Sequence, residues 1–259
     1  MTINFEWKRN EILDLLDSCE KDGLFPFIEK YIRTEDKILE SGCGLARWVK
    51  NLDNKGYNCK GLEYSHDTVK IVHEIWPELD LFVGDVLRHP FMNNSFDAVI
   101  SLGVVEHFEE GPQKALSDIF RILKPGGTAI ITVPCFNLIR RIKHPFTRDK
   151  LIFYFKKKGE PKKFFEYRFS PDYFPEVVRA NGFEVLEEKP FALIDGIYHE
   201  LDPLHIFVKF SHWKFDPEDF WLNRLLAKIP YLHSHMQIVV VRKPHISDTK
   251  TSMKSVEVT

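Results

Sequence analysis

The stretch Ile38-Leu39-Glu40-Ser41-Gly42-Cys43-Gly44-Leu45-Ala46-Arg47 constrains the fold of this chain more than any other. An apolar run enters a Gly-x-Gly turn and leaves it as a helix. Glu63 closes the next apolar run, about 20 residues further on. The glycines let backbone approach a ligand closely, and the acid can accept both hydroxyls of a ribose. This is the pattern of a nucleoside site in a doubly wound sheet, and it predicts a ligand that carries a ribose.

The charge at the turn narrows the ligand. A dinucleotide site carries G-x-G-x-x-G/A so that a pyrophosphate can sit on the helix N-terminus. Here the frame is Glu40-x-Gly42-x-Gly44-x-Ala46, with an acid before the first glycine. An anion there opposes a pyrophosphate and suits a cation. S-adenosylmethionine carries a sulfonium and an ammonium and no phosphate, so it is the expected cofactor, with S-adenosylhomocysteine as product.

The first half of the chain resembles the class I S-adenosylmethionine-dependent methyltransferases, in particular the small-molecule group called type 11. Glu40-Ser41-Gly42-Cys43-Gly44 is similar to the first motif of that family, and Glu63 to its ribose-binding acid. Gly84-Asp85-Val86 matches the end of the third strand, where the Asp faces the adenine amino group. Ser95–Ser101 matches the fourth strand, followed by Leu102–Phe108, and Arg121–Gly127 matches the turn before the fifth. The motifs keep the family's order and spacing over residues 36 to 135. Ala46 departs from the pattern, standing where a third glycine is usual.

The resemblance implies an α/β fold: a doubly wound, Rossmann-like, seven-stranded sheet, its last strand antiparallel, with helices on both faces. The periodicity agrees, with strands near 37–40, 58–63, 80–84, 96–101 and 128–133 and helices near 45–53, 66–75 and 112–123. Ser170-Pro171 reads as the start of a further helix that Asn181-Gly182 ends. Phe183–Glu188 and Gln237–Arg242 supply the late strands. The expected organisation is an N-terminal helical cap (1–35), the cofactor-binding core (36–135), a lid insertion (136–169), the C-terminal part of the core (170–244) with an acceptor-side insertion (191–234), and a disordered tail (245–259).

A net charge of −2 gives no global attraction to nucleic acid or anionic membrane. Cys19, Cys43, Cys59 and Cys135 have neither metal-ligand nor disulfide spacing, so reduced thiols, no metal and a cytoplasmic setting are expected. No apolar run approaches the ~20 residues that cross a bilayer. Locally, the lid is different: Arg140–Arg168 holds eleven basic and three acidic residues with aromatics interleaved. It reads either as a solvated lid with snorkelling lysines or as a surface for an anionic partner, such as a phospholipid headgroup, a lipid-linked phosphosugar or nucleic acid. Residues 140–168 are thus the candidate contact with an anionic membrane, which would make the protein peripheral there.

By the resemblance, backbone and side chains around Glu40, Gly42, Gly44 and Ser101 hold the methionine end of the cofactor. Glu63 holds the ribose, and Asp85 with Val86 the adenine. Tyr64 is either a wall for the adenine ring or a core aromatic. His107, just past the fourth strand, is the candidate general base, the alternative being a structural hydrogen bond. Glu106 would orient it or stabilise the cofactor cation. His199 and His205 are weaker candidates. The absence of Asn/Asp-Pro-Pro-Tyr/Phe after the fourth strand argues against base amino-methylation. Cys135 follows the fifth strand rather than the fourth, unlike most cytosine C5 nucleophiles. The reading is metal-independent methyl transfer to a small-molecule or lipid-linked acceptor, a phosphosugar or glycan among the choices, at oxygen. Its alternatives are an RNA methyltransferase using the basic lid and a non-catalytic cofactor-binding partner protein. The sequence does not name the acceptor or an oligomeric state, and nucleic acid is not the expected partner.

Overall fold

Runs of apolar residues without alternation make the central strands, because a parallel sheet is covered on both faces. The computed structural model describes residues 11–20, 23–155, 162–191, 231 and 234–245. Most of the acceptor-side insertion with His199 and His205, Lys156 to Lys158 of the lid and the tail beyond His245 lie outside the described residues. Five strands follow the expected pattern: β1 (Lys37–Ser41), β2 (Asn58–Glu63), β3 (Leu81–Val83), β4 (Phe96–Leu102) and β5 (Leu123–Pro134). Two more, β8 (Glu184–Phe191) and β9 (Met236–Arg242), complete a sheet of order β3-β2-β1-β4-β5-β9-β8. β9 runs antiparallel to both neighbours, and the other pairings are parallel. The order reverses between β1 and β4, so their carboxyl ends open the crevice where such sheets bind ligands.

Side chains alternate across the sheet into two apolar layers. Ile38 and Ile100 join α2 (Phe25–Tyr31), α3 (Arg47–Asn54) and α4 (His66–His73) through Ile28, Trp48, Leu52 and Val72. Leu39 and Val99 join α5 (Gln113–Ile122) and α7 (Tyr173–Ala180) through Leu116, Ile119, Phe174 and Val178. The N-terminal segment supplies α1 (Glu11–Ser18) besides α2.

Four local expectations change. α3 begins at Arg47 rather than residue 45, because the turn continues through Ala46 at φ 55°. β5 begins at Leu123, so the glycine turn expected before it lies within the strand. α7 begins at Tyr173, not at Pro171. The Ser170 N–H is held by the Asp149 carbonyl (2.8 Å), and its own carbonyl accepts from Tyr173 N–H (3.1 Å) instead of its hydroxyl capping the helix. The lid segment, finally, contains α6 (Leu138–Lys143) and an antiparallel hairpin of β6 (Lys150–Phe155) and β7 (Lys163–Phe169). Tyr167 and Phe169 of β7 are core residues.

The glycine turn packs down onto β2. A Cβ on Gly61 would stand 2.5 Å from Leu81 Cδ2 and 2.7 Å from Cys43 Sγ, so this strand position admits no side chain. A buried polar chain ties the end of β1 to the loop after β3 and to α5. The Ser41 hydroxyl donates to His89 Nε2 (2.7 Å), and Asp118 Oδ2 accepts from both His89 Nδ1–H and the His89 backbone N–H (2.6 Å each). Arg121 completes the chain, giving Asp118 two hydrogen bonds and the His89 and Phe91 carbonyls one each. Burial would raise the Asp118 carboxyl, but the bonds from Arg121 and His89 outweigh it and lower it. Burial also lowers His89, which favours the neutral ring whose Nε2 accepts from Ser41.

Two measurements follow from this packing. Gly61→Ala should destabilise the protein by about 1–3 kcal/mol, read as a lower urea midpoint at unchanged slope; an unchanged midpoint would contradict the tight contact. Because the folded protein resists protonating His89 and the unfolded chain does not, this group's stabilisation is complete above pH ~6.5 and is lost as pH falls from there toward the depressed value. Thermal unfolding of His89→Gln should then be less sensitive to acidification below that pH than the parent, and parallel profiles would remove His89 from the explanation.

Candidate cofactor and acceptor site

The turn after β1 is built by amides that converge on the end of β2. Gly42 and Cys43 N–H both donate to the Leu62 carbonyl (2.8 and 2.9 Å), and Gly44 N–H donates to Glu63 Oε2 (3.0 Å). Glu63 Oε1 accepts from Ser65 N–H (2.9 Å), and the Ser65 hydroxyl in turn caps α4 at Thr68 N–H (3.2 Å). Each carboxylate oxygen takes one backbone donor and keeps lone-pair capacity for a ligand hydroxyl. Gly42 has φ +81°, and a Cβ there would lie 2.7 Å from Val104 Cγ2, filling the gap between the turn and the segment after β4.

Glu40 is buried, and its Oε2 accepts from Val49 N–H (3.1 Å), the third residue of α3. It supplies the cap that Ala46 lacks and braces the turn from behind. Arg47, beside the turn, donates to Ser18 of α1 (2.7 Å). Burial first, and then the nearby Glu40 carboxylate, push the Cys43 and Cys59 thiols well up. Burial takes Cys135 to about 11, so its thiol is no nucleophile near neutrality.

Past β3, Asp85 is half-buried and its Oδ1 accepts from Leu87 N–H (2.8 Å), which fixes the loop. Val86 is buried in the same apolar layer as Leu62. Tyr64 is 51% exposed, so it belongs to the site surface and not to the core. At the end of β4, Ser101 is buried and its hydroxyl has no hydrogen-bond partner among the described residues. Glu106 Oε2 is in the same condition. Burial pushes the Glu106 carboxyl well above the usual range.

His107 Nδ1–H donates to the Phe165 carbonyl of β7 (2.8 Å), and this fixes the tautomer with Nε2 as the basic nitrogen. Nε2 lies 4.0 Å from Glu106 Oε1. Burial lowers His107, against the opposing pull of that carbonyl and of Glu166. The ring meets Phe165 edge-on at 5.2 Å.

All ten expected site residues thus lie at or just beyond the carboxyl ends of β1 to β4. Around these residues lie others that the sequence reading passed over. Phe165 orients His107, and Tyr167 OH donates to the Glu109 carbonyl (2.6 Å), tying β7 to the segment after the 3-10 turn Val105–His107. Gln237, buried at the start of β9 opposite Val133, has both side-chain amide atoms without partners among the described residues. The aromatic run Lys163–Phe169 was the available signal for β7; nothing local marked Gln237. Among the described residues no group of three or more His, Cys, Asp or Glu could hold a metal ion.

The residues present fit S-adenosylmethionine. The turn admits close backbone approach, Glu63 presents acceptors for a diol, and Ser101 and Glu106 hold polar atoms that lack partners.

Residues 39–131 match the family model described as a methyltransferase domain, of the type 11 group. A protein of Mycolicibacterium smegmatis named a probable S-adenosylmethionine-dependent methyltransferase is 31% identical over 175 residues, 65% of this chain and 59% of that protein. A demethylmenaquinone methyltransferase of Renibacterium salmoninarum is 32% identical over 110 residues, covering 41% of this chain and 46% of its own. A tRNA (carboxymethyluridine(34)-5-O)-methyltransferase of Arabidopsis thaliana is 33% identical over 98 residues, 37% of this chain and 23% of that protein. The chain therefore spans less than two thirds of the length of these relatives. Among solved structures, an S-adenosylmethionine-dependent methyltransferase from Methanosarcina mazei shares the fold at a TM-score of 0.60 and 15% identity, over 85% of this chain and 98% of that one. By its motifs, its sheet and these matches, residues 39–131 carry a methyltransferase domain of the type 11 group, in the fold shared with S-adenosylmethionine-dependent methyltransferases.

Proposed function

We propose that this chain transfers the methyl group of S-adenosylmethionine, without a metal, to a hydroxyl of a small-molecule or lipid-linked acceptor. The observation that carries the reading is the pairing of a ribose-ready Glu63 with a tautomer-fixed His107 at one sheet edge. The cofactor supplies a methyl carbon already activated by its sulfonium. The chain's own work is alignment, exclusion of water and removal of one proton. Glu63 and the Gly42–Gly44 turn hold the nucleoside, Asp85 and Val86 border the adenine, and Ser101 faces the methionine end. His107 Nε2 would take the acceptor hydroxyl's proton as that oxygen gains the methyl, which would leave S-adenosylhomocysteine.

RNA methylation is the second reading, favoured by the tRNA methyltransferase among the relatives and by the basic segment. Salt-sensitive binding of RNA with turnover on it would select that reading.

Titration calorimetry with S-adenosylhomocysteine and NAD tests the cofactor: the first should bind and the second should not. Glu63→Ala should weaken S-adenosylhomocysteine about tenfold or more, since bonds to a charged group are lost; unchanged affinity would refute the ribose assignment. His107→Ala should lower turnover by about 10²–10⁴-fold with cofactor affinity nearly intact. Equal losses in both would make His107 structural.

A further inference from the structure

The helix α6 is folded inside out for a protein surface. One of its two arginines points inward: Arg140 is 1% exposed, donates to the Cys135 carbonyl and reaches His235 Nδ1 at 2.9 Å. Asn137 caps the helix at Arg140 N–H (2.9 Å) and also donates to the Ser234 carbonyl (2.9 Å), so the orientation is fixed at both contacts. The opposite face therefore carries Leu138 and Ile142 outward, and Ile142 is 71% exposed. Phe146, in the turn that follows, is fully exposed. The outer strand of the hairpin continues the pattern, with Ile152, Phe153 and Tyr154 all exposed.

Cations accompany these apolar groups. Besides the buried Arg140, residues 138–155 and 162–169 hold seven arginines and lysines against two carboxylates, in a chain of net charge −2. Arg148 is almost wholly exposed, with its nearest carboxylate, Asp149, at 3.9 Å. Clustered aliphatic and aromatic side chains among cations are the chemistry of a bilayer interface, where the apolar groups enter the acyl boundary and the cations meet anionic headgroups. Single-stranded RNA would use stacked aromatic faces and would leave Leu138 and Ile142 without a role. The surface is also continuous with the candidate base. Phe153 meets Phe165 edge-on at 6.0 Å, and Phe165 meets His107 at 5.2 Å.

We propose that the outward face of α6, the turn through Phe146 and the outer strand of the hairpin form a docking surface for an anionic phospholipid bilayer. Docking there sets the mouth beside His107 against the lipid headgroups, where a lipid-linked acceptor would present its polar end.

The test is co-sedimentation of the full chain with vesicles of phosphatidylcholine alone and with about one third phosphatidylglycerol, at low and at physiological salt. The expected result is binding to the anionic vesicles only, weakened by salt. In Ile142→Glu with Phe146→Glu the partition coefficient should fall about tenfold or more, with the circular dichroism and S-adenosylhomocysteine affinity of the parent. Arg148→Glu, a change of charge alone, should give a smaller loss that salt abolishes. No binding to anionic vesicles, binding unchanged by these substitutions, or tighter binding of a short single-stranded RNA that the same substitutions abolish would each overturn the proposal. Vesicle binding needs no methyl transfer, so its failure is distinct from a failure of the cofactor assignment.

Discussion

The carbonyl of Leu62 and the carboxylate of Glu63 together decide the shape of the ligand edge. β1 and β2 run parallel with Ser41 opposite Leu62, so the chain leaving β1 must turn immediately above the end of its neighbour. Three successive amides, of Gly42, Cys43 and Gly44, are drawn onto those two acceptors. Glu63 is thereby oriented before any ligand arrives, and pre-orientation reduces the ordering penalty of binding. The tight turn has consequences on its far side. Ala46 takes a left-handed conformation that costs an L-residue about 1–2 kcal/mol, and α3 starts without a side-chain cap of its own. Glu40 answers the second problem from within the same motif. The acid that the sequence suggested as a partner for a cation is thus already engaged with the helix, and its charge reaches the turn through space.

The acceptor side runs on a different principle, the suppression of charge. Burial pushes the Glu106 carboxyl up and the His107 imidazole down, both away from the charged form. Two ionisable neighbours 4.0 Å apart are thus both shifted away from their charged forms. In the proposed reaction a positive charge on the cofactor is dispersed as the methyl moves. A fixed carboxylate beside that charge would stabilise the ground state more than the transition state and slow the step. A carboxyl and an imidazole both shifted toward their uncharged forms lessen that penalty.

Legibility in the sequence followed the range of the interactions. The Gly-x-Gly turn, Glu63 and the central strands were readable because local conformation, burial and ligand chemistry place the same demands on the same residues. Ser41, read only as part of the first motif, finds its partner His89 48 residues away. The tautomer of His107 is set by a backbone carbonyl 58 residues away, and a carbonyl has no signature in sequence. Ser170-Pro171 had the composition of a helix start, but Asp149 claims the Ser170 amide and keeps it at the base of the hairpin. Local propensity gives way where a distant partner takes the backbone group it relied on. The hairpin itself was hidden by its charge, since a run of lysines and aromatics reads as a solvated surface until Tyr167 and Phe169 are seen inside the core.

That hairpin links surface and chemistry. β7 gives Phe169 to the core, the Phe165 carbonyl to His107 and the Tyr167 hydroxyl to Glu109, so one strand sets both the candidate base and the segment that carries it. β6 gives its exposed aromatics to solvent while pairing with β7 along its length. Any partner that prefers one arrangement of β6 over another must act on β7 as well, and through the Phe165 carbonyl on the orientation of the imidazole. A partner that binds the surface without such a preference would raise the local concentration of acceptor and leave the base unchanged. The two effects separate in kinetics: the first moves kcat, the second only the apparent KM.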